Sequence, residues 1–243
     1  MVDSDRPGRH NRACGVGQSE RRREMRLVPK TLLIAVILSC LLAVNAYAAD
    51  FCIGFKGGLG LTSIYGDYGE EYENKTGITG GAFVTVYFMD FLGIQAEALY
   101  ARKGASFEAY DYEYGDLGSA DYNLDYLEVT FLPKVRVPLG ESFAPTFFLG
   151  GSIALNIASG WTYEGETTDV DCVSDSDICI ITGFGVDIMA DALLLTLDVR
   201  YTMGLLNVHD EECIEDELDG YEYDIPENRN HGLVFMAGVG FTL

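Results

Sequence analysis

From residue 50 onward the sequence predicts an all-β fold: an eight-stranded antiparallel up-and-down transmembrane β-barrel with short periplasmic turns and long acidic outer loops. Two observations predict it. Eight segments of about a dozen residues alternate apolar and polar side chains, which is the two-residue period of a strand with one apolar face. The connections alternate strictly between short and long, as the hairpins of small bacterial outer-membrane barrels do.

The predicted strands follow one another with no helical pattern between them. They cover residues 52–62, 77–89, 93–103, 122–137, 146–158, 179–189, 193–205 and 231–243. Short turns are predicted at residues 90–92, 138–145 and 190–192, and long loops at residues 63–76, 104–121, 159–178 and 206–230. Short and long connections therefore lie at opposite ends of one sheet.

The fourth strand shows how the two faces of the sheet differ. Glu128, Lys134 and Arg136 share one side, whereas Leu127 and Val129 share the other. This periodicity fits either a membrane barrel with its charges inside or a secreted, lipocalin-like ligand-binding barrel with its apolar face inside. The alternation of connection lengths and the aromatic residues near strand ends favour the membrane barrel.

The residues before the first strand have a different composition. Residues 25–48 predict a secretory signal peptide: Arg26 and Lys30 precede an apolar run of about 14 residues, which is too short to span a membrane, and Ala46-Tyr47-Ala48 is a cleavage motif. Residues 1–24 are polar and aperiodic, so we expect a disordered upstream extension. The barrel domain is expected over residues 49–243, in the outer membrane of a Gram-negative bacterium.

The charge of the chain excludes one class of partner. The full sequence carries a net charge of −22. Loss of residues 1–48 removes eight of the 16 basic and four of the 38 acidic residues, which leaves −26. So strong a negative field argues against nucleic acid as a partner.

Four segments carry a resemblance to a known family. Residues 55–61, 92–105, 124–134 and 197–205 resemble the PorT-like outer membrane protein β-barrel domain family. The resemblance implies an eight-stranded barrel with both termini in the periplasm. It also implies outer-membrane lipid, lipopolysaccharide and the outer-membrane assembly machinery as partners, and it implies no particular activity or oligomeric state.

Charged residues on the inward face form the first candidate site. They are Lys56, Glu97, Glu128, Lys134, Arg136, Asp187, Asp198 and Arg200. The interior of an eight-stranded barrel is just filled by side chains, and unpaired buried charges cost several kcal/mol each. We therefore expect a compensated network that fills the lumen, with a gated narrow ion path as the alternative.

The long loops form the second candidate site, because they hold 25 of the 34 carboxylates that follow residue 48. A solvated, self-repelling surface is the simplest interpretation. Weak Ca²⁺ or Mg²⁺ binding by Asp169, Asp171, Asp175 and Asp177 is a second one, since hard cations prefer carboxylate oxygens. Otherwise no cofactor is expected. Recognition of an extracellular macromolecule is a third, because nine tyrosines lie among the acids.

The cysteines and histidines complete the sequence predictions. We predict a disulfide between Cys172 and Cys179, with Cys213 as the competing partner for either. After residue 48 the only histidines are His209 and His231, and neither adjoins a serine motif, so we expect no enzymatic activity. A barrel-embedded lipid-modifying enzyme that uses one of them is the alternative.

Overall fold

Most of the described chain is β-strand. The structure, a computed structural model, describes residues 50–66, 72–111, 115–163, 165–170, 172–210, 213–214 and 227–243. In these ranges the strands are β1 Asp50–Gly66, β2 Lys75–Met89, β3 Leu92–Asp111, β4 Gly115–Arg136, β5 Phe143–Tyr163, β6 Glu166–Asp169, β7 Ser176–Ala190, β8 Leu193–Gly204 and β9 Asn228–Thr242. The predicted extension at 1–24 and signal peptide at 25–48 lie outside the described residues.

Eight of these strands close into a barrel. Neighbouring strands follow the order β4, β3, β2, β1, β9, β8, β7, β5, and a β4–β5 ladder completes the ring, with every pairing antiparallel. The short β6 pairs only with residues 160–163 at one end of β5 and is not part of the ring. The predicted eight-stranded antiparallel barrel is confirmed.

The two ends of the barrel differ. At the turn end, residues 90–91, 137–142 and 191–192 connect consecutive strands. At the opposite loop end the strands run further than the sequence predicted. The β3–β4 ladder continues through Ser106↔Asp121 to Asp111↔Gly115, so most of the predicted loop 104–121 is strand. The acidic residues and glycines of this segment are typical of a loop, but Ala105 and Tyr122 are buried in the interior and the backbone ladder continues.

The two faces of the wall have opposite polarity. Apolar side chains point outward, as shown by Phe55 (71% exposed) and Leu197 (54%), whereas Lys56, Glu97 and Arg200 are at most 4% exposed. A lipocalin-like barrel would need the reverse arrangement, so that alternative is not favoured. No helix among the described residues is long and apolar enough to cross a membrane.

Buried apolar clusters lie at three heights inside the barrel. Cys52, Phe83 and Leu194 form one at the turn end, and Leu132, Phe148 and Ile181 form one in the middle. The largest, at the loop end, contains Ile64, Ala105, Tyr122, Leu124, Tyr126, Ala154 and Val208. The interior is therefore a packed core, and polar groups such as Lys56 and Arg200 pack against the rings of these clusters.

Small residues make room for the interior side chains. Gly238 of β9 lies opposite Lys56 of β1. A Cβ at this position would lie 2.9 Å from the Cβ of Lys56 and 2.8 Å from the Thr196 Cγ2. A glycine is required at this close approach, and it lets the Lys56 side chain enter the lumen.

Candidate functional site: the lumen network and the loop clasp

Four charges meet across the bore of the barrel. Lys56 Nζ lies 2.9 Å from Glu97 Oε1 and 2.7 Å from Asp198 Oδ2. Arg200 Nη1 lies 2.7 Å from Glu97 Oε2, and its Nη2 lies 2.9 Å from Asp198 Oδ2. Each carboxylate therefore contacts two cations. These side chains come from β1, β3 and β8, which become neighbours only because the sheet closes on itself.

Hydrogen bonds extend this cluster toward the turn end. Gln95 donates to Glu97 over 2.6 Å, and Lys134 donates to Gln95 over 3.3 Å and to Asp187 over 3.0 Å. Tyr87 donates to the second oxygen of Asp187 over 3.0 Å. We call the connected set the lumen network. Its charged members are three cations, Lys56, Lys134 and Arg200, and three carboxylates, Glu97, Asp187 and Asp198, so its charge is balanced.

Two of the predicted lumen charges lie outside this network. Glu128 forms its ion pair with Lys103, nearer the loop end. Arg136 lies at the turn end, where it contacts Asp50 at 3.0 Å and stacks on Tyr87 with its guanidinium 3.8 Å from the ring centre. Gln95 lies two residues before Glu97 on the same face of β3, which is the signal that could have identified it.

A second polar group lies in the lumen at the height of Lys103. The Lys103 ammonium is 3.4 Å from the Cys179 thiol. Asp177 is also buried, and it accepts hydrogen bonds of 3.4 Å from the Leu206 backbone N–H and the Asn230 amide. Asp177 thus holds the start of β7, the end of β8 and β9 together through hydrogen bonds.

A disulfide joins two segments beyond the barrel rim. Cys172 bonds Cys213, with a Cα–Cα distance of 5.2 Å. Ser174 Oγ donates to the carbonyls of Asn207 and His209 over 2.7 and 3.0 Å, and Val173 pairs with His209. We call residues 172–174 with 207–210 and Cys213 the loop clasp.

The predicted Cys172–Cys179 disulfide is wrong. Cys179 is the fourth residue of β7, faces the lumen and is a buried free thiol, as is Cys52 at the turn end. Because β7 begins at Ser176, the Cys179 side chain is directed into the barrel, whereas Cys172 lies outside it. The competing partner, Cys213, is the correct one.

His209 is part of the loop clasp. Its Nε2 lies 3.4 Å from the Asn228 amide nitrogen, which ties the ring to the start of β9. Burial lowers the pKa of His209 from its ordinary value of 6.5. The other histidine, His231, stacks on Tyr65 with ring centres 5.3 Å apart.

Acidification should therefore weaken the loop clasp. Well above pH 6.5 His209 is neutral in both the folded and the unfolded protein, so it does not affect the free energy of unfolding. Below pH 6.5 the unfolded chain binds the proton more readily than the folded one. The free energy of unfolding therefore falls as the pH drops toward the lower pKa of the folded state. The single tryptophan, Trp161, packs on the same apolar cluster as Val173 and Val208 and reports this region. In a His231→Gln background, Trp161 fluorescence should change at a lower urea concentration at pH 5 than at pH 7. The difference should disappear when His209→Gln is added, and its persistence would contradict the assignment.

Three of the four aspartates predicted to bind a cation are described, and they lie in different parts of the structure. Asp169 ends β6, Asp175 is exposed beside the start of β7, and Asp177 is buried inside the barrel. Asp171 lies outside the described residues. In the part of the chain that the structure describes, no group of three or more His, Cys, Asp or Glu side chains could hold a metal ion. Weak cation binding at the loops stays a prediction.

The apolar outer wall, the closed antiparallel ladder and the charged interior define an integral outer-membrane β-barrel protein. Residues 29–210 match the family described as outer membrane protein beta-barrel domain, and the chain belongs to this family. The match supports this broad family and does not extend to the PorT-like name. No curated protein sequence matches the chain.

Solved structures of small outer-membrane barrels are similar to the chain. Neisserial surface protein A is 14% identical, with a TM-score of 0.44 over 81% of this chain and 100% of its own. The outer membrane protein OprG from Pseudomonas aeruginosa is 16% identical, with a TM-score of 0.44 over 81% and 96%. The attachment invasion locus protein Ail of Yersinia pestis, in complex with the heparin analogue sucrose octasulfate, is 14% identical, with a TM-score of 0.41 over 80% and 99%.

Proposed function

We propose that the protein is a non-enzymatic, solute-tight barrel that anchors an acidic, tyrosine-rich surface in the outer membrane. The lumen network is the observation that carries this proposal. The acidic, tyrosine-rich surface maintains envelope integrity or contacts an extracellular cation or macromolecule. Export through a cleavable signal peptide at residues 25–48 and insertion by the outer-membrane assembly machinery are parts of the same proposal.

The arrangement of charges favours a seal over a gated ion path. An ion that crossed the bore would have to separate Glu97 and Asp198 from Lys56 and Arg200, which are all buried. Leaving such a charge unpaired costs several kcal/mol. The rings of Phe83 and Phe148, which are at most 4% exposed, lie against Lys56 and Arg200 and fill the bore beside the network.

Single-channel recording in planar lipid bilayers tests the seal. The refolded protein should produce no conductance steps under conditions in which a general diffusion porin does, because an ion would have to break the buried pairs of the lumen network. Arg229→Ala, which changes a partly exposed residue near the barrel rim, should be equally silent. Steps from the unmodified protein that change size when Lys56 is replaced by Gln would show that ions pass the lumen network, and would overturn the proposal.

A further inference from the structure

A polar groove of about 470 Å³ crosses the outside of the barrel wall toward the loop end. Five strands, β2 to β6, supply its lining. Its polar side chains come from Lys75, Thr76, Arg102, Asp121, Asn123, Asp125, Ser159, Thr162, Thr167 and Asp169. We call it the wall groove. It is separate from the lumen network and from the loop clasp.

The wall groove borders directly on the apolar belt. Asp125 is two residues from Leu127 on the outward side of β4, and Ala158 follows Ile157 on β5. Leu127 is 44% exposed and Ile157 is 58% exposed. In the predicted orientation, with the loop end outside the cell, the groove opens sideways at the height of the outer-leaflet headgroups. An outer-leaflet lipid can therefore reach it from the side.

The floor of the groove is preorganised by internal hydrogen bonds. Lys75 donates to the Tyr122 carbonyl over 3.3 Å and to the Asn123 side chain. Asn123 Nδ2 donates to Thr162 Oγ1 over 2.9 Å, and Thr162 Oγ1 lies 2.9 Å from Thr167 Oγ1. Side chains held in this way lose little entropy when a ligand binds.

A positive φ at Gly104 lets β3 approach β4 closely beside this floor. Gly104 has a φ of +129°, and a Cβ there would lie 1.8 Å from the Tyr122 carbonyl oxygen. Only glycine fits such a position. Its missing side chain also leaves room between β2 and β4, and Lys75 of β2 contacts β4 there.

The charges of the groove select among ligand classes. Lys75 and Arg102 face three carboxylates, Asp121, Asp125 and Asp169, and Arg102 forms a bidentate pair with Asp125 over 2.7 and 2.9 Å. A bare phosphate would meet three carboxylates, and a metal ion would meet an ammonium and a guanidinium. A sugar hydroxyl both donates and accepts, so neighbouring hydroxyls can use the carboxylate and amide oxygens together with the cationic donors.

We propose that the wall groove binds the sugar headgroup of an outer-leaflet glycolipid. The barrel thereby holds glycolipid molecules at one side of its wall. This inference rests on the position of the chain in the outer membrane and is independent of the proposed seal, so a conducting barrel would leave it intact.

Two adjacent threonines provide a matched test. Thr167 lines the groove, whereas Thr168 is its neighbour on β6 and does not line it. The purified barrel is placed in nanodiscs that contain lipopolysaccharide truncated to its inner core, and retained glycolipid is counted by native mass spectrometry. Loss of two hydrogen-bonding groups in Thr167→Val with Asp169→Ala should weaken retention about tenfold. Thr168→Val should retain as much as the unmodified protein.

Three outcomes would overturn the proposal. Equal retention by the groove variant and the Thr168→Val control would show that the groove holds no glycolipid. Displacement by phosphatidylglycerol as effective as by the glycolipid itself would show that acyl chains, and not sugars, account for binding. Release by a chelator alone would show that a bridging divalent cation holds the glycolipid instead.

Discussion

Replacement of Arg200 by Leu should lower the free energy of unfolding by about 3–5 kcal/mol, because it removes one of two cations from both Glu97 and Asp198 in the closed lumen. Urea unfolding from lipid vesicles, followed by heat-dependent electrophoretic mobility, measures the loss. Arg229→Leu is the matched control. Its partner Glu227 is exposed and the Arg229 side chain is 38% exposed, so the change should cost less than about 1 kcal/mol.

A compensated double variant separates charge from packing. When Arg200→Leu is combined with Asp198→Asn, the remaining Lys56 and Glu97 form a neutral pair at 2.9 Å. Much of the lost stability should return, because no buried carboxylate is then left in excess. A double variant no more stable than Arg200→Leu alone would show that Arg200 acts through its volume, and that charge balance does not govern the stability of the lumen.

The number of strands, and which face of the sheet points outward, could be predicted from the sequence. Alternation such as Glu128, Lys134 and Arg136 against Leu127 and Val129 persists wherever one face of a strand meets lipid. The structure has the same sorting, with Phe55 and Leu197 outward and Lys56 and Arg200 inward. The pattern is informative in the membrane because the two faces there meet different surroundings.

Toward the loop end the same signal is harder to recognise. Past Lys103 the segment is rich in acidic residues and glycine, so the sequence resembles a loop, although Ala105 is buried in the interior and the ladder with β4 continues to Asp111↔Gly115. The β5–β6 hairpin, with Tyr163 opposite Glu166, was missed for the same reason. Backbone hydrogen bonds and the packing of Phe107 and Tyr122 on Trp161 hold these extensions, and those contacts depend on the folded ladder.

The partners inside the lumen could not be predicted because they depend on how the barrel closes. The inward position of Lys56 follows from alternation along β1. Its contact with Asp198 of β8 requires the β1–β9 and β8–β9 registers, in which Lys56 and Thr196 both lie opposite Gly238. A shift of one residue in either ladder would turn the side chain of Lys56 or of Asp198 outward and so break their contact. The sequence therefore predicts which charges share the lumen, while the register determines the pairs.

The cysteine pairing was predicted wrongly because closeness in sequence was misleading. Cys172 and Cys179 are close in sequence, and proximity favoured their pairing. β7 begins between them, at Ser176, and the inward face of that strand takes Cys179 into the lumen beside Lys103. Cys172 remains outside and bonds Cys213, 41 residues away. The position at which β7 begins, Ser176, therefore determines the pairing. That position lies in a polar segment, where no apolar alternation marks the start of a strand in the sequence.

Loss of the Cys172–Cys213 disulfide should be the second large effect. A cross-link over 41 residues restricts the unfolded chain, and the chain-entropy relation gives about 4 kcal/mol for a loop of that length. Cys213→Ser should therefore lower the urea midpoint of the barrel. It should also shift the Trp161 fluorescence transition, since Val173 and Trp161 pack on the same apolar cluster as Val208.

Thiol counting assigns the effect to this bond. After unfolding without reductant, a maleimide should label two cysteines of the chain from residue 49 onward, Cys52 and Cys179, and Cys213→Ser should raise the count to three by freeing Cys172. Cys179→Ser is the control. It should lower the count to one and leave the disulfide intact, because Cys179 contacts Lys103 and not Cys172. A labelled Cys213 in the unmodified protein would instead place the bond between Cys172 and Cys179, and β7 would then have to begin later than Ser176.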